Sequence, residues 1–166
     1  TAAMALDATL IAESRSNVRQ MPVAAWSAGY LTNALRPGEM LTAVEFPGWP
    51  LGHGYSFVEY ARRKGDFAIV GVAALLAFDA NGMSAKAAVA IGGCAAGPQR
   101  PSRLEHALIG RKPAAAVFRD VARLAAGIEA HSDPYVKADY RLHLARVLTE
   151  RALTAAAQRA GHGVPH

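Results

Sequence analysis

Residues 52–92 read GHGYSFVEYARRKGDFAIVGVAALLAFDANGMSAKAAVAIG, and the fold turns on how this stretch is divided. Tyr55 to Arg62 reads as a strand, with aromatics at 55 and 57 and, out of phase, at 60. Ala68 to Phe78 is apolar and rich in small and β-branched residues, which reads as a second strand. Asp79-Ala80-Asn81-Gly82 follows, and Asn-Gly is among the strongest hairpin signals because both residues accept a positive φ. Met83 to Ile91 then returns as the partner strand. The three runs predict an antiparallel three-stranded sheet over residues 54–92.

Beyond the sheet the period becomes helical. Ser102 to Ile109 predicts a short helix closed by Gly110, a favoured residue just past a helix end. Pro113 fits the first turn of a second helix, whose stripe Val117, Val121, Leu124 and Ile128 is spaced at four, three and four residues. His131 to Pro134 interrupt it. A last helix is predicted from Val136 to Arg159, with Tyr140, Leu144, Val147 and Leu148 on one face, and residues 161–166 read as a tail. On the N-terminal side, Ala5 to Glu13 alternates as a strand and Pro22 opens a short helical turn through Trp26. Arg36-Pro37-Gly38 marks a turn. Glu39 to Phe46 is a further strand, stopped by Pro47, Trp49 and Pro50. A strand-rich first half and a helix-rich second half give an α+β class, the three-stranded sheet packed with a C-terminal three-helix bundle.

Composition fits that class. A chain of 166 residues suits one domain or two small packed units, and buries enough surface to need no disulfide or metal. Hydrophobic residues make up 52% and charged residues 19%, a globular balance. The one cysteine, Cys94, has no partner for an internal disulfide, which favours a reducing compartment, and it reads as a buried small hydrophobe. The net charge of +5 is dispersed; its densest cluster, Arg62-Arg63-Lys64, is followed at once by Asp66. No basic and aromatic interleaving points to nucleic acid. The longest apolar run, Phe67 to Phe78, is shorter than the roughly 20 residues of a spanning helix, and no signal peptide is visible, so a cytoplasmic location is expected. The chain opens on Thr1 rather than Met and reads as cut from something longer; an N-terminal threonine nucleophile is the competing reading of that end.

Most enzyme motifs are missing: no phosphate loop of the GxxxxGK type, no HExxH, no paired cysteine ligands and no nucleophile elbow. Gly92-Gly93-Cys94-Ala95-Ala96-Gly97 is glycine-rich without a dinucleotide fingerprint and reads as a structural turn. The six histidines, His53, His106 and His143 among them, lack ligand spacing, so no metal site is expected. Arg146 and Glu150 read as a solvated helix pair. What needs explaining is the turn between the first two strands of the sheet. Arg62, Arg63, Gly65 and Asp66 stand together there, with Phe67 just beyond. A bound flavin uses such a mixture: apolar walls for its benzenoid side, hydrogen-bond partners for its pyrimidine edge, and a cation where charge develops on reduction. A solvated, charged hairpin end is the other reading of the same residues.

The run GHGYSFVEYARRKGDFA, followed by an apolar strand and an Asn-Gly turn, resembles a segment of the FAD-binding medium subunits of molybdenum hydroxylases, the carbon monoxide dehydrogenase and xanthine dehydrogenase family. The rest follows in order: Gly92-Gly93 with Pro98, then Arg103-Leu104-Glu105 and Leu108-Ile109-Gly110, Asp133-Pro134, Tyr140-Arg141 and Arg151-Ala152-Leu153. Upstream, Arg19, Pro22, Trp26, Gly29, Leu35, Glu39-Met40-Leu41 and Phe46-Pro47 are similar to the end of the family's FAD-binding domain. The ordered set, over residues 5–159, carries the resemblance. It implies that residues 1–50 are the end of an FAD-binding domain and that residues 51–160 are the C-terminal domain of such a medium subunit, with its sheet at 54–92 and helices within 102–159.

The resemblance further implies cofactor-binding roles for Leu41, Arg62, Gly65, Asp66 and Phe67, with Phe67 against the isoalloxazine ring and Leu41 an aliphatic neighbour of it. A lysine common in the family near this strand is replaced by Val58 and Glu59. The family's two glycine-rich pyrophosphate loops precede the region matched by Thr1, so the chain reads as the C-terminal portion of the medium subunit. The implied function is passage of electrons from iron–sulfur clusters through FAD to an acceptor. The molybdenum cofactor would sit in a large partner subunit and the 2Fe-2S clusters in a small one. The alternative is a non-catalytic scaffold or docking domain that binds no FAD by itself.

Overall fold

The computed structural model describes residues 1–164; the last two positions of the expected tail, Pro165 and His166, lie outside the described residues. The chain is a mixed α/β structure with antiparallel sheets and four helices. Helix α1 (Ala2–Ala5) leads into β1 (Thr9–Glu13), which is central in a sheet ordered β2-β1-β5, with β2 at Val18–Pro22 and β5 at Met40–Glu45. Between β2 and β5 the chain makes a 3-10 turn at Val23–Ala25 and a small two-stranded ribbon, β3 (Ser27–Gly29) with β4 (Thr32–Asn33). This excursion brings Val23, Trp26, Ala34 and Leu35 against Leu10, Ala12 and Met21, forming a small core under the first sheet.

The larger sheet is the one the hairpin signals predict. Strands β6 (Gly54–Tyr60), β7 (Val70–Phe78) and β8 (Ser84–Gly92) lie in that order, each pair antiparallel. Gly82 takes φ +74° in the Asn-Gly turn, and Asp79 accepts the amides of Asn81 and Met83 to hold it. Central β7 is covered on both faces. Val70, Val72, Ala74 and Leu76 point into the main core, while Ala73 and Leu75 meet Ala5, Met4 and Trp49 on the other side. A strand buried on both faces has no polar alternation to show, which is why its sequence is one apolar run.

Helices α2 (Ser102–His106), α3 (Ala115–Leu124) and α4 (Ala138–Arg159) follow, and α4 packs on β6 and β7 with α3 beside it. Along α4 the buried residues Leu144, Ala145, Leu148, Thr149, Ala152, Leu153, Ala156 and Ala157 recur at helical period. The alanines let the helix approach the sheet closely: a Cβ on Gly54 would stand 1.8 Å from the Ala156 carbonyl oxygen. No helix among the described residues is long and apolar enough to cross a membrane.

Four expectations change. The predicted strand from Ala5 begins only at Thr9. The alanine-rich Ala2–Ala5 segment makes a helical turn instead, and Asp7 at φ +54° reverses the chain before β1. Strand β2 has no counterpart among the predicted elements, because of its five residues only Met21 is buried. On α3 the inward face carries Phe118, Val121 and Ala122, continued by Ala125 just past its end; of the predicted stripe Val121 and Ile128 are buried and Val117 partly so, while Leu124 is 39% exposed. The bulk of Phe118 takes the core position, and the two alanines admit the neighbouring helix. Glu150 pairs with Arg119 on α3 at 3.7 Å rather than with Arg146, so the ion pair links two helices.

Candidate functional site

The turn joining β6 to β7 is closed at its base, where the Ile69 amide donates to the Tyr60 carbonyl at 2.7 Å. Within it the Asp66 amide donates to the Arg63 carbonyl at 3.2 Å. Gly65 stands at φ +92° with open space where a Cβ would be, so the backbone conformation rather than crowding calls for glycine there. Phe67 follows at 101% relative exposure, its ring wholly uncovered. A large apolar ring left this exposed on a tightly closed turn has no packing role within the described residues.

A cleft of about 400 Å³ lies beside the turn, lined by Arg62, Asp66, Phe67, Ile69, Tyr135 and Arg141 among others. Arg62 lies over the Tyr135 ring at 4.9 Å, a cation–π contact that holds its guanidinium at the rim. The Arg141 side chain is only 12% exposed and is held by three separate segments. It donates to the carbonyls of Ile69 at 2.9 Å and Gly93 at 2.6 Å, and it pairs with the Asp133 carboxylate. Asp133 also accepts the amides of Tyr135 at 2.7 Å and Val136 at 2.8 Å. Those backbone donors first, and Arg141 after them, hold its carboxyl below the usual carboxylate range. Cys94 is buried beside this centre, with its thiol directed at the Arg141 carbonyl at 4.0 Å. Burial pushes its pKa up against the opposing pull of Arg141.

The structure therefore brings Arg62, Asp66 and Phe67 to one cleft, with Gly65 in the same turn. Leu41 is placed elsewhere. It stands on β5 and lines a second, apolar cleft of about 500 Å³ with Met4, Leu10, Trp26, Val44 and Pro98. Tyr135 and Arg141 complete the first cleft from the helical half; Asp133-Pro134 and Tyr140-Arg141 are visible in the sequence only as members of an ordered set. Gly93 is required by packing: at φ +88° a Cβ there would stand 2.4 Å from the Ile69 carbonyl oxygen. His53 hydrogen-bonds the Pro50 carbonyl at 2.8 Å and packs near Trp49 and Tyr55. Among the described residues no three His, Cys, Asp or Glu side chains gather where they would hold a metal ion.

Two family models match the chain. The CO dehydrogenase flavoprotein C-terminal domain matches residues 55–156, and the FAD binding domain in molybdopterin dehydrogenase matches residues 1–49. Subunit alpha of the 6-hydroxypseudooxynicotine dehydrogenase complex of Paenarthrobacter nicotinovorans is 30% identical over 161 residues, covering 95% of this chain and 53% of that protein. The carbon monoxide dehydrogenase medium chain of Afipia carboxidovorans is 32% identical over 136 residues, covering 81% and 46%. Among solved structures, quinoline 2-oxidoreductase from Pseudomonas putida 86 superposes with a TM-score of 0.87 at 34% identity, over 96% of this chain and 55% of that one. Reconstituted CO dehydrogenase from Oligotropha carboxidovorans gives 0.89 at 28% identity, over 95% and 55%. The chain spans about half the length of the curated relatives it matches.

Proposed function

The chain belongs to the CO dehydrogenase flavoprotein family, and from that premise we propose that it forms the ring-side wall of an FAD site in a molybdenum hydroxylase. The observation that carries this reading is the turn at 61–68, which presents an uncovered Phe67 beside Arg62 and Asp66 in one cleft. Those residues suit the ring. Phe67 offers a free face for stacking on the isoalloxazine. Arg62 offers a guanidinium to the edge where negative charge develops on reduction, and Gly65 lets the turn adopt the conformation that presents both. Asp66 closes the turn through its backbone amide, and Leu41 supplies an aliphatic contact from the second cleft. FAD, when bound, accepts and releases electrons; the protein's part is to hold and electrically bias the ring.

On this reading residues 1–50 are the end of an FAD-binding domain, and 51–160 a C-terminal domain whose three helices support the sheet and dock neighbouring subunits. The pyrophosphate is held by glycine-rich loops of the parent protein rather than by these residues. Electrons arrive from 2Fe-2S clusters in a small partner subunit, supplied by a molybdenum cofactor in a large one, and leave to an acceptor. The assembly works in the cytoplasm as a dehydrogenase.

The test is the visible spectrum of the purified full-length protein that carries this sequence. A flavin band, retained through gel filtration or restored by added FAD, is the expected result. A protein that stays colourless after incubation with FAD would leave the scaffold and docking role as the better account.

A further inference from the structure

We propose that Arg141 is a positioning residue for the 61–69 turn, fixing it from the helical half of the molecule through Ile69, Gly93 and the Asp133–Tyr135–Arg62 relay; the functional part of this inference rests on the flavin reading above.

The turn is attached at both ends. At its far end the Ile69 carbonyl accepts from Arg141 Nη1 at 2.9 Å, and the same nitrogen donates to the Gly93 carbonyl at 2.6 Å. The glycine there is explained by this meeting point. Any Cβ at position 93 would lie 2.4 Å from the Ile69 carbonyl oxygen, so a side chain would push that oxygen off the guanidinium. At its near end Arg62 rests on the Tyr135 ring at 4.9 Å, and the loop bearing Tyr135 is held by the Asp133 carboxylate through the amides of Tyr135 and Val136. Asp133 is in turn paired with Arg141 Nη2. One guanidinium thus anchors the last residue of the turn directly and its first arginine at two removes.

A planar fork suits this task because its two terminal nitrogens serve different partners in fixed directions. Besides these anchors the turn has its two backbone hydrogen bonds, Ile69 to the Tyr60 carbonyl at the base and Asp66 to the Arg63 carbonyl within it. Arg63, Lys64, Gly65, Asp66 and Phe67 are all exposed. Loss of the anchors should therefore loosen the turn locally and leave the strands intact. Because Phe67 and Arg62 ride on that turn, the geometry of any ring they contact follows from a residue whose guanidinium is engaged by Ile69, Gly93 and Asp133.

The experiment uses the full-length protein with Arg141→Lys, which keeps the charge and loses the fork, and with Tyr135→Leu, an exposed position whose change threatens folding little. Hydrogen exchange at the amides of Asp66 and Ile69, the two within 66–69 that hold backbone hydrogen bonds, is expected to quicken by at least ~10-fold in R141K, while β8 amides such as Val89 stay within about 2-fold. Tyr135→Leu should quicken the Asp66 amide, which donates to the Arg63 carbonyl, and spare Ile69. In the same proteins FAD affinity is expected to weaken about 5- to 10-fold for R141K. Unchanged exchange in the turn, or a loosening shared equally by β8, overturns the positioning role. A looser turn with undiminished FAD affinity overturns its functional consequence. If the unsubstituted protein takes up no FAD, the flavin reading fails by itself and exchange still decides the positioning.

Discussion

Gly54 at the start of β6 lies so close to Ala156 on α4 that a Cβ would stand 1.8 Å from the alanine's carbonyl oxygen and 2.8 Å from the Ala160 amide nitrogen. Both obstacles are helix backbone, which cannot swing aside as a side chain can. The contact fixes how deeply the long helix sits on the larger sheet. Gly54→Ala is expected to destabilise the fold by about 2–3 kcal/mol, the usual range for overpacking a tight site. Gly48→Ala, where nothing lies within 4 Å and φ is unremarkable, should stay within about 0.5 kcal/mol. Denaturant melts of the two variants check the difference, and equal midpoints would rule the contact out as a determinant.

The larger sheet is legible in the sequence because its signals are local. The Asn81-Gly82 turn and the uninterrupted run of β7 are written in consecutive residues, and the double coverage of β7 explains the run. Strand β2 is not legible, since its membership is set by register against β1, Leu10 opposite Met21, rather than by any pattern of its own. The predicted stripe holds at Val121 and at Ile128 beyond the helix, but Phe118 is fully buried where Val117 is only partly so, and Leu124 is turned outward. The site divides the same way. Arg62, Gly65, Asp66 and Phe67 share one short turn and so can be read together. Arg141 reaches Ile69 across 72 positions, and no spacing rule connects residues so far apart.

Arg19 and Glu39 clasp the first sheet to the excursion that covers it. The guanidinium meets both carboxylate oxygens at 2.7 Å and donates also to the Ala34 carbonyl, while the Arg36 amide donates to the same carboxylate. These hydrogen bonds, Arg19 first and the Arg36 amide second, lower the Glu39 pKa from 4.5 to about 2. A depressed carboxylate contributes stability that is fully present above its unfolded pKa and is lost as pH falls through the folded one. Thermal midpoints should therefore decline between about pH 4.5 and pH 2. Glu39→Gln should be less stable at neutral pH and show a flatter decline across that window. A variant whose profile runs parallel to the wild type would contradict the assignment.

Cys94 offers a probe of how firmly the centre around Arg141 is closed. Its side chain is 2% exposed and its thiol is pushed up by burial, so little thiolate is present or reachable near neutral pH. Reaction with a disulfide reagent is expected to be at least ~100-fold slower in the folded chain than in denaturant, limited by opening of the structure. Reaction at the rate of an exposed thiol would mean that the glycine turn and the head of α4 part readily.

Phe67 separates stability from function. Its ring is fully exposed, so Phe67→Ala should change the unfolding free energy by no more than about 0.5 kcal/mol. If the ring stacks on the isoalloxazine, removal costs about 0.5–1.5 kcal/mol of binding, roughly a 2- to 12-fold rise in the FAD dissociation constant. Phe67→Tyr keeps the face and should bind nearly as the wild type does. Quenching of flavin fluorescence on titration of the full-length protein measures all three. Equal affinities for the wild type and F67A would show that the exposed ring serves something other than the flavin, and would move attention to Arg62 as the residue that meets it.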